Sequence, residues 1–225
     1  MSSLNNATSN EERKDRKNGN NKNNSNIKLS RMLSKLLRHQ LPNFSRKLVI
    51  KESGYVLVES ILALPLFKGH TIDEVFEVVK TDTKQRFNLK SMDDSGQNGF
   101  WIKANQGHSF EIEDQDLVQI IDHCDIPVAI HGTTLKNWEL IKESSELKRM
   151  NRSHIHLAPG MIGENGVISG MRYNCEVYIY IDTEKAIKSG ITFYKSLNNV
   201  ILCPGPIPLN LISKVLDRNL EEIQY

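Results

Sequence analysis

The stretch MNRSHIHLAPG, residues 150–160, places within eleven positions Arg152, then His154 and His156 one residue apart, then a Pro-Gly break. In an extended strand, alternate side chains share a face, so Arg152, His154 and His156 are expected to project together, with Ile155 and Leu157 on the buried side. A His-x-His pair is a spacing that zinc sites use, but zinc needs a third and usually a fourth ligand. No His-x-x-x-His helix or acidic partner accompanies this pair. Two histidines satisfied by backbone groups at a sheet edge form the competing reading. Arg152 on the same face tilts the balance toward a donor-rich surface suited to phosphate or pyrophosphate oxygens.

Those side chains need a scaffold. IKLSRMLSKLLRHQL places Leu29, Met32, Leu33, Leu36 and Leu37 at helical spacing, an amphipathic helix that ends with Arg38 and His39 before LPNF. On spacing alone, that pair reads as cations placed favourably at a helix C-terminus. A short strand, a Ser-Gly turn and a helix from about Val58 to Leu64 follow. TIDEVFEVVK opens on a capping box, Thr71 with Glu74 three residues on. Two strands joined through Ser-Gly-Gln-Asn-Gly come next, so three short helices precede a hairpin, the pattern of a winged helix-turn-helix.

The second half changes character. VAIHGTT is a strand ending in His131, Gly132 and Thr133; LKNWELIKES is helical; RSHIHLAP, EVYIYID and NNVILCPGPIP read as further strands. The chain is therefore expected to be α+β: a disordered basic, Asn-rich tail over 1–26, a winged-helix lobe over 27–122, and a mixed α/β lobe over 123–225. The tail's RKDRK cluster at 13–17 is suited to contact with a polyanion or to nuclear import.

Composition sets limits on function. The 225 residues with 39% hydrophobic content suit one large domain or two small ones. No apolar run approaches the ~18 residues of a membrane span, and the N-terminus lacks a signal-peptide core. The expected setting is cytoplasm, nucleus or both, with no membrane partner. Cys124, Cys175 and Cys203 are odd in number and widely spaced, which suggests free thiols. A net charge of +2 names no partner by itself.

Taken in order, LSRMLSKLLRHQ, DTKQRFNL, ANQGHS, IHGTT, MNRSHIHLAPG, GVISGMR, VYIYID and SLNNVILCPGPIP make residues 28–215 resemble the RNA 2'-phosphotransferase family. The resemblance implies transfer of the splice-junction 2'-phosphate of tRNA to NAD. The RNA phosphate first displaces nicotinamide to give a 2'-phospho-ADP-ribosylated RNA. The ribose 2''-hydroxyl then attacks phosphorus, releasing RNA 2'-hydroxyl and ADP-ribose 1'',2''-cyclic phosphate. The family's catalytic quartet falls on Arg38, His39, Arg86 and Arg152, all present here. The resemblance further implies an ADP-ribosyltransferase-like C-terminal lobe in which His131, Gly132, Thr133, His154, His156, Ser169, Gly170 and Arg172 surround NAD, with no metal. A monomeric chain is the expectation, although sequence does not report oligomeric state. Arginines would hold the phosphoryl oxygens, and His39 would serve either as general acid/base in the second step or as a purely positional phosphate ligand, two roles that sequence does not separate.

Two other function classes compete. A non-enzymatic nucleic-acid-binding protein accounts for the helical half but not for the HGT and His-x-His strands. A protein or nucleic-acid mono-ADP-ribosyltransferase accounts for the second half and leaves the first idle.

Overall fold

A computed structural model describes residues 24–225, apart from residues 52, 95, 96, 112–115 and 165 and the side chains at 94 and 97. Most of the tail expected over 1–26 lies outside the described residues, and helix is in place from residue 24. This first helix, α1, spans 24–35 and buries Leu29 and Leu33, as the apolar spacing requires. Its end differs from a simple stop. Leu36–Gln40 widens into a π-helical turn, and Leu41–Phe44 tightens into a 3-10 turn with Pro42 at its start. The wide turn buries the adjacent Leu36 and Leu37 while carrying Arg38 and His39 past them, consistent with the functional use of π-turns.

Beyond α1 the described residues form four more α-helices and four small sheets. Strand β1 (Val56–Leu57) leads into α2 (Val58–Leu62), two residues shorter than the sequence reading because Leu64 is extended before Pro65. Helix α3 (Ile72–Thr81) starts on Thr71, whose hydroxyl accepts from the Glu74 N–H while the Glu74 carboxylate accepts from the Thr71 N–H, completing the capping box. Strands β2 (Phe87–Asp94) and β3 (Gln97–Ala104) pair antiparallel with Asp94 opposite Gln97. The connection is therefore only two residues, shorter than the Ser-Gly-Gln-Asn-Gly loop expected, since Gln97, Asn98 and Gly99 belong to β3. The sheet order is β1-β3-β2.

A four-stranded antiparallel sheet runs β4 (Val118–Ile120), β9 (Phe193–Lys195), β10 (Ile201–Cys203), β7 (Ile155–Leu157). A three-stranded sheet runs β12 (Ile212–Asp217), β8 (Val177–Ile181), β5 (Ile130–Thr133). The two meet where Ile130 and Ala158 exchange backbone hydrogen bonds of 2.9 and 2.8 Å. A short pair, β6 (Glu146–Leu147) with β11 (Ile207–Pro208), closes one flank. Helix α4 (Leu135–Ser144) follows β5, capped by Thr134, and α5 (Thr183–Lys188) follows β8, capped by Asp182.

Two large apolar cores result. One gathers residues between Leu29 and Ala104, including Phe67, Val75 and Ile102; the other gathers residues between Ile120 and Val215, including Trp138, Ile179 and Phe193. All three cysteines are free. No helix among the described residues is long and apolar enough to cross a membrane.

Candidate functional site

A cavity of about 530 Å³ opens between the two cores. Eleven of the twelve site residues expected from the sequence line it: Arg38, Arg86, His131, Gly132, Thr133, Arg152, His154, His156, Ser169, Gly170 and Arg172. His39 stands apart from the lining and is exposed, its Nδ1 3.2 Å from Ser109 Oγ.

Arg38 comes from the π-turn of α1. Its guanidinium is packed beside Gly107, whose φ is +91° and where a Cβ would lie 3.5 Å from Arg38 Cδ and Nε. Nε and Nη2 are buried and have no hydrogen-bond partner. Buried donors are ordinarily satisfied, so this pair stands out as hydrogen-bonding capacity that the fold itself does not use. Burial, then the charges of Arg86 and Arg152, pull the Arg38 pKa down to about 10, with Asp82 opposing them.

Arg86 precedes β2 and is held by Asp82. That carboxylate has an exposure of 3%, pairs with the Arg86 guanidinium, and accepts from the backbone N–H of Arg86 at 2.6 Å and of Lys84 at 3.2 Å. The other core supports the same loop: buried Asn198 donates through Nδ2 to the Lys84 carbonyl at 3.0 Å. Asn105 donates to the Gln85 carbonyl at 2.7 Å.

Arg152 differs from its expected placement. Strand β7 begins only at Ile155, so Arg152 sits in the preceding turn, outside the strand face. Ser153 fastens that turn to the first lobe: its N–H and hydroxyl both donate to the His108 carbonyl, at 2.9 and 3.1 Å. Burial and the Arg172 charge lower the Arg152 pKa. The expected alternation along β7 also fails, since Ile155, His156 and Leu157 are all buried. The strand has neighbours along both edges, β10 on one and the Ile130–Ala158 bridge and the His131 ring on the other.

The histidines are arranged as acceptors. His131 Nδ1–H donates to the His156 carbonyl at 3.0 Å, and His156 Nδ1–H donates to the His154 carbonyl at 3.1 Å. These bonds fix the tautomer and leave Nε2 of each ring with its lone pair. His156 Nε2 is buried without a partner. Burial holds His131 below the usual histidine range and His156 well below it, so both rings are neutral at pH 7. His39 is lowered by partial burial and by Arg38 and Arg152.

The two glycines act through packing. A Cβ on Gly132 would lie 2.6 Å from Cys175 Sγ and 2.9 Å from Met171 Sδ; Gly170, at φ +108°, would place one 2.9 Å from Ala158 Cα. Sequence reasoning missed Asp82, Gly107, Ser153 and Asn198 as supports. Asp82 and Arg86 lie four apart, and Gly107 sits in ANQGHS, signals that were present; nothing local marks Asn198.

Among the described lining residues are seven Lys or Arg and a single carboxylate, Glu146, which is ion-paired with Lys148 at 2.8 Å. Such a wall binds polyanions and stabilises charge developing on phosphoryl oxygens.

Comparison with known proteins gives a consistent picture. Residues 24–205 match the family described as RNA 2'-phosphotransferase, Tpt1 / KptA family. The chain is 44% identical over 182 residues to tRNA 2'-phosphotransferase 1 of Danio rerio, covering 80% of this chain and 78% of that protein. It is 40% identical over 197 residues to tRNA 2'-phosphotransferase of Saccharomyces cerevisiae, covering 84% and 83%. A probable RNA 2'-phosphotransferase of Trichormus variabilis is 34% identical over 178 residues, covering 78% and 90%.

Proposed function

The chain belongs to the RNA 2'-phosphotransferase family, and from that membership and the chemistry of the cavity we propose that it transfers the splice-junction 2'-phosphate of tRNA to NAD. The observation that carries this reading is the Arg38 guanidinium, buried with two unpaired donors beside Arg86 and Arg152. NAD, as co-substrate, supplies the ribose carbon that the RNA phosphate attacks as nicotinamide leaves, and the ribose 2''-hydroxyl that then takes the phosphorus, giving RNA 2'-hydroxyl and ADP-ribose 1'',2''-cyclic phosphate.

The residues fit that pair of substrates with two kinds of group. Arg38, Arg86 and Arg152 hold the 2'-phosphate and, in the second step, the oxygens on which charge develops. His131 and His156 present Nε2 lone pairs, which take hydroxyl donors, so they face a ribose and not the pyrophosphate. Thr133, His154, Ser169 and Arg172 complete the NAD contacts. His39, beside Arg38 and outside the lining, carries the proton between the attacking hydroxyl and the departing RNA oxygen.

We read residues 27–122 as the winged-helix, RNA-phosphate lobe and 123–225 as the ADP-ribosyltransferase-like NAD lobe. Support comes from α1–α3 preceding the β2–β3 hairpin and from the two sheets joined at Ile130 and Ala158. Strand β4, ahead of that boundary, already pairs with β9. Protein mono-ADP-ribosylation is the weaker reading, because an acid that guides a protein nucleophile is needed, and Glu146, the one carboxylate among the described lining residues, is occupied by Lys148.

The test is a short RNA with an internal 2'-phosphate, incubated with and without NAD in EDTA. The phosphate should be lost, and ADP-ribose cyclic phosphate should form, only with NAD. EDTA should have no effect, because arginines supply the charge stabilisation. Phosphate release without NAD, or ADP-ribosylation of protein in its place, refutes the reading.

A further inference from the structure

Helix α1 and its continuation carry an unusual charge pattern. Between residues 24 and 51 there is no Asp or Glu, whereas Lys28, Arg31, Lys35, Arg38 and His39 fall in one helical run. Positions 28, 31 and 35 are spaced by three and four, so they share one edge of the helix. All three are exposed, and none is in an ion pair among the described residues. The opposite side of the helix is committed to the core through Leu29 and Leu33. At 1.5 Å per residue the basic edge covers about 10 Å and stops one turn before His39.

Two other elements of this lobe present carboxylates. Helix α3, which comes third before the hairpin, carries Asp73, Glu74 and Glu77 against Lys80. The far end of the hairpin brings Asp93 and Asp94. A phosphodiester backbone laid on either would meet carboxylates, whereas the exposed edge of α1 carries cations and no carboxylate as it runs toward the turn that places Arg38 in the cavity lining.

We propose that the exposed edge of α1 formed by Lys28, Arg31 and Lys35 is the track on which the backbone of the RNA strand is led to the Arg38–His39 turn. The proposal rests on the RNA reading above and names the surface that reading leaves unassigned. Lysine and arginine on a helix edge make sequence-independent phosphate contacts, so the track sets affinity and register without choosing bases. An RNA too short to reach it would be processed without using it.

The test compares the full chain with K28Q/R31Q/K35Q, in which glutamine keeps the helix propensity. Binding of a tRNA-length RNA carrying one 2'-phosphate is measured without NAD across a salt series, and turnover is measured on that RNA and on a 2'-phosphorylated trinucleotide. Each single-strand phosphate contact contributes about 0.7 to the log–log salt slope, so the triple variant should lose about 2 from it. Its KM for the long RNA should rise by roughly 10-fold or more at 0.1 M salt, with trinucleotide turnover within about 2-fold of the parent. Arg31→Gln alone should lose a slope of about 0.7 and guards against misfolding of the triple variant. An unchanged slope in both variants, or equal losses on long and short RNA, overturns the track. So does tighter RNA binding by D73N/E77Q on α3. Because binding is read without NAD, failure of the transfer reaction itself would show separately, as intact 2'-phosphate in the parent.

Discussion

Replacing Arg38 with Met should stabilise the protein while inactivating it. In the folded chain the guanidinium is surrounded by Arg86 and Arg152, with two donors buried and unpaired. Its pKa is pulled down from the ordinary arginine value to about 10, chiefly by burial. At about 1.4 kcal/mol per unit this corresponds to about 3 kcal/mol, an upper figure because water in the open cavity screens the charges. The folded pKa of this cation is depressed, so the unfavourable contribution is present in full at every pH below 10 and is relieved only as pH rises past that value. Methionine keeps the apolar stem against Gly107 and removes the charge. A net gain of about 1–2 kcal/mol at pH 7.5 translates into a melting temperature roughly 2–8 °C higher for a chain of this size. Thermal unfolding is to be measured for both proteins, alone and with a 2'-phosphorylated trinucleotide. The parent should gain stability from the ligand and the variant should gain little, while turnover falls by about 10²–10³. A variant that melts lower than the parent, or keeps the full ligand-induced shift, would show that Arg38 has its partners inside the fold and is no anion seat.

Arg86→Ala and Arg152→Ala should slow the second chemical step more than the first, because only the second places developing charge on phosphorus-bound oxygens; a slower-migrating RNA labelled from NAD adenylate should accumulate. If unreacted 2'-phosphate RNA is the only species at all times, those arginines serve binding or the first step. Gly170→Ala should cost about 1–3 kcal/mol from its φ of +108° and the 2.9 Å approach to Ala158 Cα, read as a lower melting temperature even before any NAD is added. His108 is 7% exposed and its pKa is lowered to about 4, chiefly by burial. Below pH 6.5 the unfolded chain therefore binds the extra proton, and up to about 3 kcal/mol of stability should be lost as pH falls from about 6.5 to 4. Unfolding free energies for His108→Gln should flatten that part of the curve, and an unchanged slope would contradict the assignment.

Much of this arrangement was legible wherever chemistry was carried by local pattern. The apolar spacing of α1, the Thr71–Glu74 capping box, the strand ending in HGT and the run EVYIYID all emerged near their expected positions, because propensity, capping and burial period agree there. The three arginines and His131 converge on one cavity as their motifs implied. What could not be read was the support around them. The π-turn that aims Arg38 follows from packing Leu36 and Leu37 against a core that sequence does not display. Arg152 sits off the strand because Ser153 is tied to His108, and His156 is buried although alternation places it on the face opposite Ile155 and Leu157. Asn198 reaches the Lys84 carbonyl across 114 residues. Contacts of that sequence separation leave no periodic trace.

The polarity of the cavity suggests why one orientation of substrates is productive. Arg38, Arg86 and Arg152 are donors without acceptors, with Asp82 tied up in holding Arg86. Near Arg152, His131 and His156 are imidazoles whose Nδ1 donors are spent on backbone carbonyls, leaving acceptor nitrogens. A phosphate oxygen set on an imidazole Nε2 would meet a lone pair, and a ribose hydroxyl set on the guanidiniums would leave the cations unneutralised. Each swap costs a buried group its partner, at about 1–3 kcal/mol apiece. Two such mismatches amount to a preference of roughly 10²-fold or more for phosphate on the arginines and ribose on the imidazoles, because about 1.4 kcal/mol is a factor of ten. On the proposed reading that preference sets phosphate and ribose against each other before any bond is made, and much of the barrier reduction comes from that alignment.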